Sequence, residues 1–165
     1  MSAGGIRRAV DRTLDTAVIL LMAALVLDVL WQVATRYLLG APSSWTEELA
    51  TFLLIWLTLL AAAVALRDHA HLGIDYLTSK LPRSGRRRVE TFTCCAVAAF
   101  CAIVLTYGGS TLVLRTLSLE QSSPALDIPM GYVYLALPLG GLCAAWYSVQ
   151  PLIARRGAPR EASDL

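Results

Sequence analysis

Four separate stretches of this sequence, 14–38, 49–66, 92–114 and 131–153, are each apolar over about the length a helix needs to cross a bilayer core. They occupy most of the 165 residues, so little is left for a water-soluble domain. Composition agrees, because 56% hydrophobic and 16% charged residues, with a mean hydropathy of +0.59, exceed what a soluble domain of this size can bury. The expectation is an all-α integral membrane protein, a single four-helix membrane domain over 1–165. It carries an inner basic loop at 67–91 and a short polar tail at 155–165. The first stretch is too long for a signal-peptide core, contains Asp28 and lacks a small-residue cleavage site, so it is expected to remain in the mature protein.

Charge placement predicts orientation. Arg7, Arg8 and Arg12 precede the first stretch, and Arg67, Lys80, Arg83, Arg86, Arg87 and Arg88 join the second to the third. Arg155, Arg156 and Arg160 close the chain, while Arg36 and Arg115 alone lie on the other side, beside Glu47, Glu48, Glu120 and Asp127. The positive-inside bias therefore puts both termini of this multi-pass protein in the cytoplasm. Trp45, Tyr132 and Tyr134 fall at the outer interface, and Trp146 and Tyr147 at the inner one, as amphipathic rings prefer. A net charge of +2 with scattered basic residues excludes an electrostatic nucleic-acid binder; membrane lipids are the surroundings. Cys94, Cys95, Cys101 and Cys143 fall in apolar stretches without a CxxC pair, and read as small, reduced core residues.

Local signals fill in the connections. The segment 40–43, Gly-Ala-Pro-Ser, breaks the helix, and Ser44 with Glu47 three residues on forms a capping-box pattern, so helices one and two read as an antiparallel hairpin. In the inner loop, Ile74, Tyr76, Leu77 and Leu81 point to a short amphipathic piece on the membrane surface. The outer loop 121–129, with Pro124 and Pro129, suits a turn or a single helical turn. Pro138 is expected to kink helix four, as Gly108-Gly109 could helix three. Ala61 and Ala65, Gly140 and Ala144, and Gly141 and Ala145 have the four-residue spacing that lets helices approach closely.

Charges inside a membrane helix cost about 2.5–3.5 kcal/mol at its centre, so each asks for a reason. Asp28, Gln32 and Arg36 recur every fourth residue on one face of helix one. This polar seam reads as a hydrogen-bonded contact with a neighbouring helix or, in the sharper reading, as part of an ion path. Asp28 and Arg36 are two turns, about 12 Å, apart and do not pair directly. Across the hairpin, Arg36 could pair with Glu47 or Glu48, whose places in the first turn of helix two are also favoured by capping and the helix dipole. Adjacent on a helix, the two glutamates point about 100° apart, which argues against paired-carboxylate catalysis. His69 and His71 are the only histidines, so neither a metal site nor haem ligation is expected; His71 and Asp75 read as an interfacial turn. No phosphate loop, nucleophile elbow, dinucleotide fingerprint or zincin pattern occurs. The residues alone give a small membrane protein with no catalytic residue and no cofactor, which reads as a subunit of something larger.

The run Gln32-Val33-Ala34-Thr35-Arg36-Tyr37, followed by Pro42-Ser43-Ser44-Trp45-Thr46-Glu47-Glu48-Leu49-Ala50 and Trp56, resembles the small permease subunit of tripartite ATP-independent periplasmic (TRAP) transporters, the DctQ-like family. Ala65-Leu66-Arg67, His71-Leu72-Gly73-Ile74-Asp75, Ser123-Pro124-Ala125-Leu126-Asp127-Ile128-Pro129, Tyr134 and Leu137-Pro138-Leu139-Gly140 look like its later landmarks. The resemblance implies two partners, a large permease subunit and a periplasmic solute-binding protein. It also implies that the large subunit holds the substrate and sodium sites and moves, while the small one extends a static scaffold. The process so implied is sodium-driven uptake of an organic acid, such as a C4-dicarboxylate or sugar acid, in a bacterium or archaeon. Arg36, Trp45, Glu47, Glu48, Trp56, His71 and Asp75 are the candidates for setting the hairpin and its subunit contacts; Asp28 and Gly40 depart from the pattern, and no family role is carried onto Asp28.

Two other classes compete. A self-assembling four-helix exporter of the small multidrug type would use Asp28 as its membrane-embedded acid, but the length, the Trp-Thr-Glu-Glu hairpin and the long inner loop argue against it. A membrane anchor for a redox enzyme is disfavoured by the absence of histidine within the four stretches.

Overall fold

The computed structural model describes residues 3–38, 40, 43–68 and 83–156, and all its regular elements there are helical. Helix α1 spans Ala3–Leu38 and α2 spans Ser44–Arg67. Helix α3 is composite, with an α segment Arg83–Phe100, a π-helical segment Cys101–Gly108 and an α segment Gly109–Ser118. The fourth span is broken into α4, Met130–Tyr134, and α5, Ala136–Arg156. Among the described residues, four helical stretches are long and apolar enough to cross a membrane: Arg8–Leu38, Ser44–Arg67, Thr91–Ser118 and Met130–Gln150.

The helices outrun their apolar stretches. At 36 residues α1 is about 54 Å long, against about 30 Å of hydrocarbon, and it begins well before residue 14. Charged residues such as Asp11 and Arg12 end a stretch suited to lipid without ending a helix. Helix α3 likewise starts at Arg83, inside the segment read as the basic loop. The expected amphipathic piece, with His69, His71 and Asp75, lies outside the described residues.

The turn between α1 and α2 is made at Gly40, whose φ of +66° lies in the left-handed region that glycine enters freely. The N-cap of α2 is Ser43, one residue before the serine expected, and it makes no side-chain cap bond. Instead the fully buried Thr46 hydroxyl donates to the Ser43 carbonyl at 2.7 Å, so the capping box read from Ser44 and Glu47 is replaced by a hydroxyl turned back on its own turn. The break between α4 and α5 falls at Leu135. Pro138 accounts for it, because its ring has no N–H for the Tyr134 carbonyl and crowds that carbonyl's position.

The helices form an open row. Helix α1 lies along α2, α2 along α5, and α5 along α3; among the described residues α1 and α3, the two ends of the row, do not pack together. The fourth span is accordingly the best covered and the first the least. One apolar cluster joins Leu14, Leu60 and Tyr147, with Trp56 packed against it, and ties α1, α2 and α5; another joins Ala63, Cys101 and Ala144 across α2, α3 and α5. Adjacent glycines of α5 serve different neighbours. A Cβ at Gly140 would meet Leu59 of α2 at 3.0 Å, and one at Gly141 would meet Leu105 of α3 at 2.7 Å. Cys101 is buried and Cys94 and Cys143 are half-buried, whereas Cys95 is exposed on α3; all four are free thiols.

Candidate functional site

Asp28 apart, the charged side chains of the row gather at its two ends. At the hairpin end, the Glu48 carboxylate reaches from the first turns of α2 into the segment between α3 and α4. It accepts hydrogen bonds from the Ser123 hydroxyl, from the Ala125 N–H at 3.1 and 3.2 Å, and from the Leu126 N–H at 3.1 Å. The segment closes on itself, since Met130 N–H donates to the Gln121 carbonyl at 2.9 Å, Ser123 N–H to Ile128 at 3.0 Å and Asp127 N–H to Ser123 at 3.0 Å. Asp127 (φ 52°) and Glu120 (φ 48°) take the left-handed backbone that these reversals require. The carboxylate fills a cup of backbone and hydroxyl donors, and bonds of this kind to an ionised acceptor are among the stronger ones a protein makes. The loop folds around Glu48.

At the opposite end, Arg67 closes α2. Its guanidinium meets Asp15 of α1 at 2.8 Å and Asp68 at 2.9 Å, and reaches the Asp11 carbonyl at 3.4 Å. The Asp11 carboxylate accepts a 2.6 Å hydrogen bond from the buried Tyr147 hydroxyl of α5. Asp11, Asp15, Arg67, Asp68 and Tyr147 therefore fasten α1, α2 and α5 at one point. Tyr147→Phe is expected to lower stability by about 1 kcal/mol, the net worth of one such bond, read from the unfolding midpoint in detergent.

The sequence candidates divide. Arg36 and Glu47 are exposed, and among the described residues the Glu48 carboxylate is engaged by the distant loop and not by Arg36. Trp45 is 44% exposed at the start of α2, where it can meet lipid or a partner, whereas Trp56 is half-buried against the Leu14, Leu60 and Tyr147 cluster. Asp28 is buried at 7% exposure, and among the described residues its Oδ2 receives no hydrogen bond; Gln32, one turn on, is half-buried. Missing from the sequence reading was the whole Arg67 cluster. A signal for it existed, because Asp15 and Arg67 stand equally far from Ala41, and an antiparallel hairpin turning there brings them opposite each other.

A sequence profile described as "Tripartite ATP-independent periplasmic transporters, DctQ component" matches residues 25–156. The chain belongs to the DctQ family. It is thus a TRAP transporter small permease subunit and not an enzyme, and family membership displaces the exporter and redox-anchor readings. The sialic acid TRAP transporter small permease protein SiaQ of Vibrio cholerae is 29% identical over 136 residues, covering 79% of each chain. The C4-dicarboxylate TRAP transporter small permease protein DctQ of Rhodobacter capsulatus is 35% identical over 115 residues, 68% of this chain and 50% of that protein. The isethionate TRAP transporter permease protein DctMQ of Oleidesulfovibrio alaskensis is 30% identical over 130 residues, 74% of this chain but only 20% of that much longer protein. Glu48, Ser123, Arg67 and Tyr147 lie within the DctQ match, and Asp11 and Asp15 lie before it.

Proposed function

We propose that this DctQ-family subunit is the static flank of a sodium-driven TRAP transporter of the cell inner membrane. It works with a large permease subunit and a periplasmic solute-binding protein, and imports an organic acid such as a C4-dicarboxylate or sugar acid. The observation that carries the static role is the use made of the polar side chains: at both ends of the row they cross-link elements far apart in sequence. A subunit that carried a solute through itself would instead point such groups at a central path. Relatives named for sialic acid, C4-dicarboxylate and isethionate, all organic anions, support the substrate class. The isethionate relative, in which the matching part is a fifth of a longer permease, supports the need for a large subunit. The charge bias puts the hairpin end, with the 121–129 loop, toward the periplasm, where exposed Glu47, Glu120 and Asp127 border the surface a binding protein approaches.

The test is reconstitution in liposomes with an inward sodium gradient, comparing the complete three-part system with one lacking this chain. Uptake that is sodium-dependent and lost without the chain is the expected result; undiminished uptake without it would overturn the proposal. The loop gives a sharper version. Glu48→Ala removes the acceptor of four bonds, so hydrogen exchange at the Ala125 and Leu126 amides is expected to accelerate by about tenfold or more and uptake to fall, with Glu47→Ala near wild type on both measures. Wild-type uptake by Glu48→Ala despite exchanging loop amides would mean the loop's shape is not needed.

A further inference from the structure

Asp28 is an acid in the middle of a membrane helix whose Oδ2 atom is buried and, among the described residues, receives no hydrogen bond. Along α1 it stands about 20 Å from Asp15 at one end and about 15 Å from Leu38 at the other, deeper than lipid headgroups reach. The hairpin does not supply a donor. Mirrored through Ala41, Asp28 lies at the level of Leu54, a half-exposed apolar residue of α2. The hydroxyls on either side of that level are committed to their own helix, Thr51 to the Glu47 carbonyl at 2.9 Å and Thr58 to the Leu54 carbonyl at 2.8 Å. On α1 itself, the Thr35 hydroxyl donates to the Gln32 carbonyl at 3.0 Å.

Helix α1 is also an end of the row. It lies along α2, with α5 joining it through Tyr147 near its first turns, and it leaves Leu27, Leu30 and Trp31 exposed beside Asp28. An acid at this depth without a partner is expensive, and interhelical hydrogen bonds are the usual way such groups are satisfied in lipid.

We infer that Asp28 is the contact point for a transmembrane helix of the large permease subunit that carries a hydrogen-bond donor, a guanidinium, ammonium, amide or hydroxyl, laid over the α1–α2 seam. The inference rests on the proposed function and adds to it which helix of this chain faces the partner. Polarity selects the occupant: an acyl chain has no donor to offer, and headgroups stay at the surface. Gln32, one turn away and half-buried, sits at the edge of the same contact.

The test uses the assembled transporter in native membranes. A photoreactive benzoylphenylalanine replaces Gln32 in one sample and Ile103, exposed on α3 at the far end of the row, in another. After irradiation, adducts are identified by mass spectrometry. In parallel, the amount of large subunit recovered with tagged wild-type, Asp28→Asn and Asp28→Leu chains is measured in mild detergent. The expected result is an adduct with the large subunit from position 32 and not from position 103. Recovery should fall about tenfold for Asp28→Leu and stay within about twofold for Asp28→Asn, whose amide oxygen still accepts. Adducts from position 32 with lipid or a second copy of this chain only would overturn the inference, as would large-subunit adducts from position 103 alone or full recovery with Asp28→Leu. The photo-adduct is read in a chain that keeps Asp28, so it decides the matter even if Asp28→Leu does not fold. Failure of the wild-type chain to recover any large subunit would instead bring down the proposed function, and this inference with it.

Discussion

Arg67→Ala is expected to lower the unfolding free energy of the purified chain by about 2 kcal/mol, more than the loss of the Tyr147 hydroxyl alone. The magnitude reflects the groups that the guanidinium leaves behind. Arg67 itself is only 15% exposed, but Asp15 and Asp68 are 46% and 58% exposed and regain water once it is gone. The loss therefore stays below the 3–5 kcal/mol of a fully buried pair and above the fraction of a kcal/mol of a surface one. Lysine is no substitute. Its single ammonium can meet one carboxylate but cannot span Asp15, Asp68 and the Asp11 carbonyl together, so Arg67→Lys is expected to lose about 1 kcal/mol. Unfolding in mixed detergent, followed by helical circular dichroism, checks both. Arg67→Ala as stable as wild type would mean that the apolar cluster of Leu14, Leu60 and Tyr147 alone holds α1 in place.

Gly141→Ala is expected to cost about 2 kcal/mol, and Gly141→Val more, because helices α3 and α5 touch there backbone to backbone. A Cβ at position 141 would lie 2.7 Å from Leu105 Cβ, 2.9 Å from Thr106 Oγ1 and 3.1 Å from the Thr106 backbone nitrogen. The nitrogen belongs to the π-helical segment and cannot yield unless the helix moves. Gly109 reports the same closeness from the other side, since a Cβ there would meet Leu137 Cβ at 2.8 Å and Pro138 Cδ at 3.1 Å. Gly108 is the control. Its nearest neighbour would be 3.8 Å away, so Gly108→Ala is expected to be neutral or to gain up to about 1 kcal/mol from backbone entropy. Equal losses at 108 and 141 in the same unfolding assay would show that glycine matters there for flexibility and not for approach.

Hydropathy alone made the four spans legible, because lipid demands a long unbroken run of apolar residues and nothing else in the chain resembles one. Pro138 was legible for an equally local reason, the N–H it lacks. The features that stayed hidden depend on contacts between segments far apart in sequence. Glu48 and Ser123 are 75 residues apart, and no spacing rule on one helix connects them, so the Trp-Thr-Glu-Glu stretch could be flagged but not assigned its bond. Gly108 and Gly109 look interchangeable until the π-helical segment is known. Each extra residue taken into a wide turn rotates the remainder of the helix by about 100°, so a face projected through residues 101–108 at the α-helical period comes out wrong. Asp28 is legible as a costly charge, and its depth and face follow from counting; that the hairpin offers it no donor depends on how α1 and α2 pack.

A closed bundle is finished, because every helix already has two neighbours and a newcomer must break a seam to enter. An open row has edges. A further helix can be appended beside α1 or α3 without disturbing the three seams already made, much as a strand joins the rim of a sheet. The chain is therefore built like a tile whose outline, and not its interior, decides what it can be joined to.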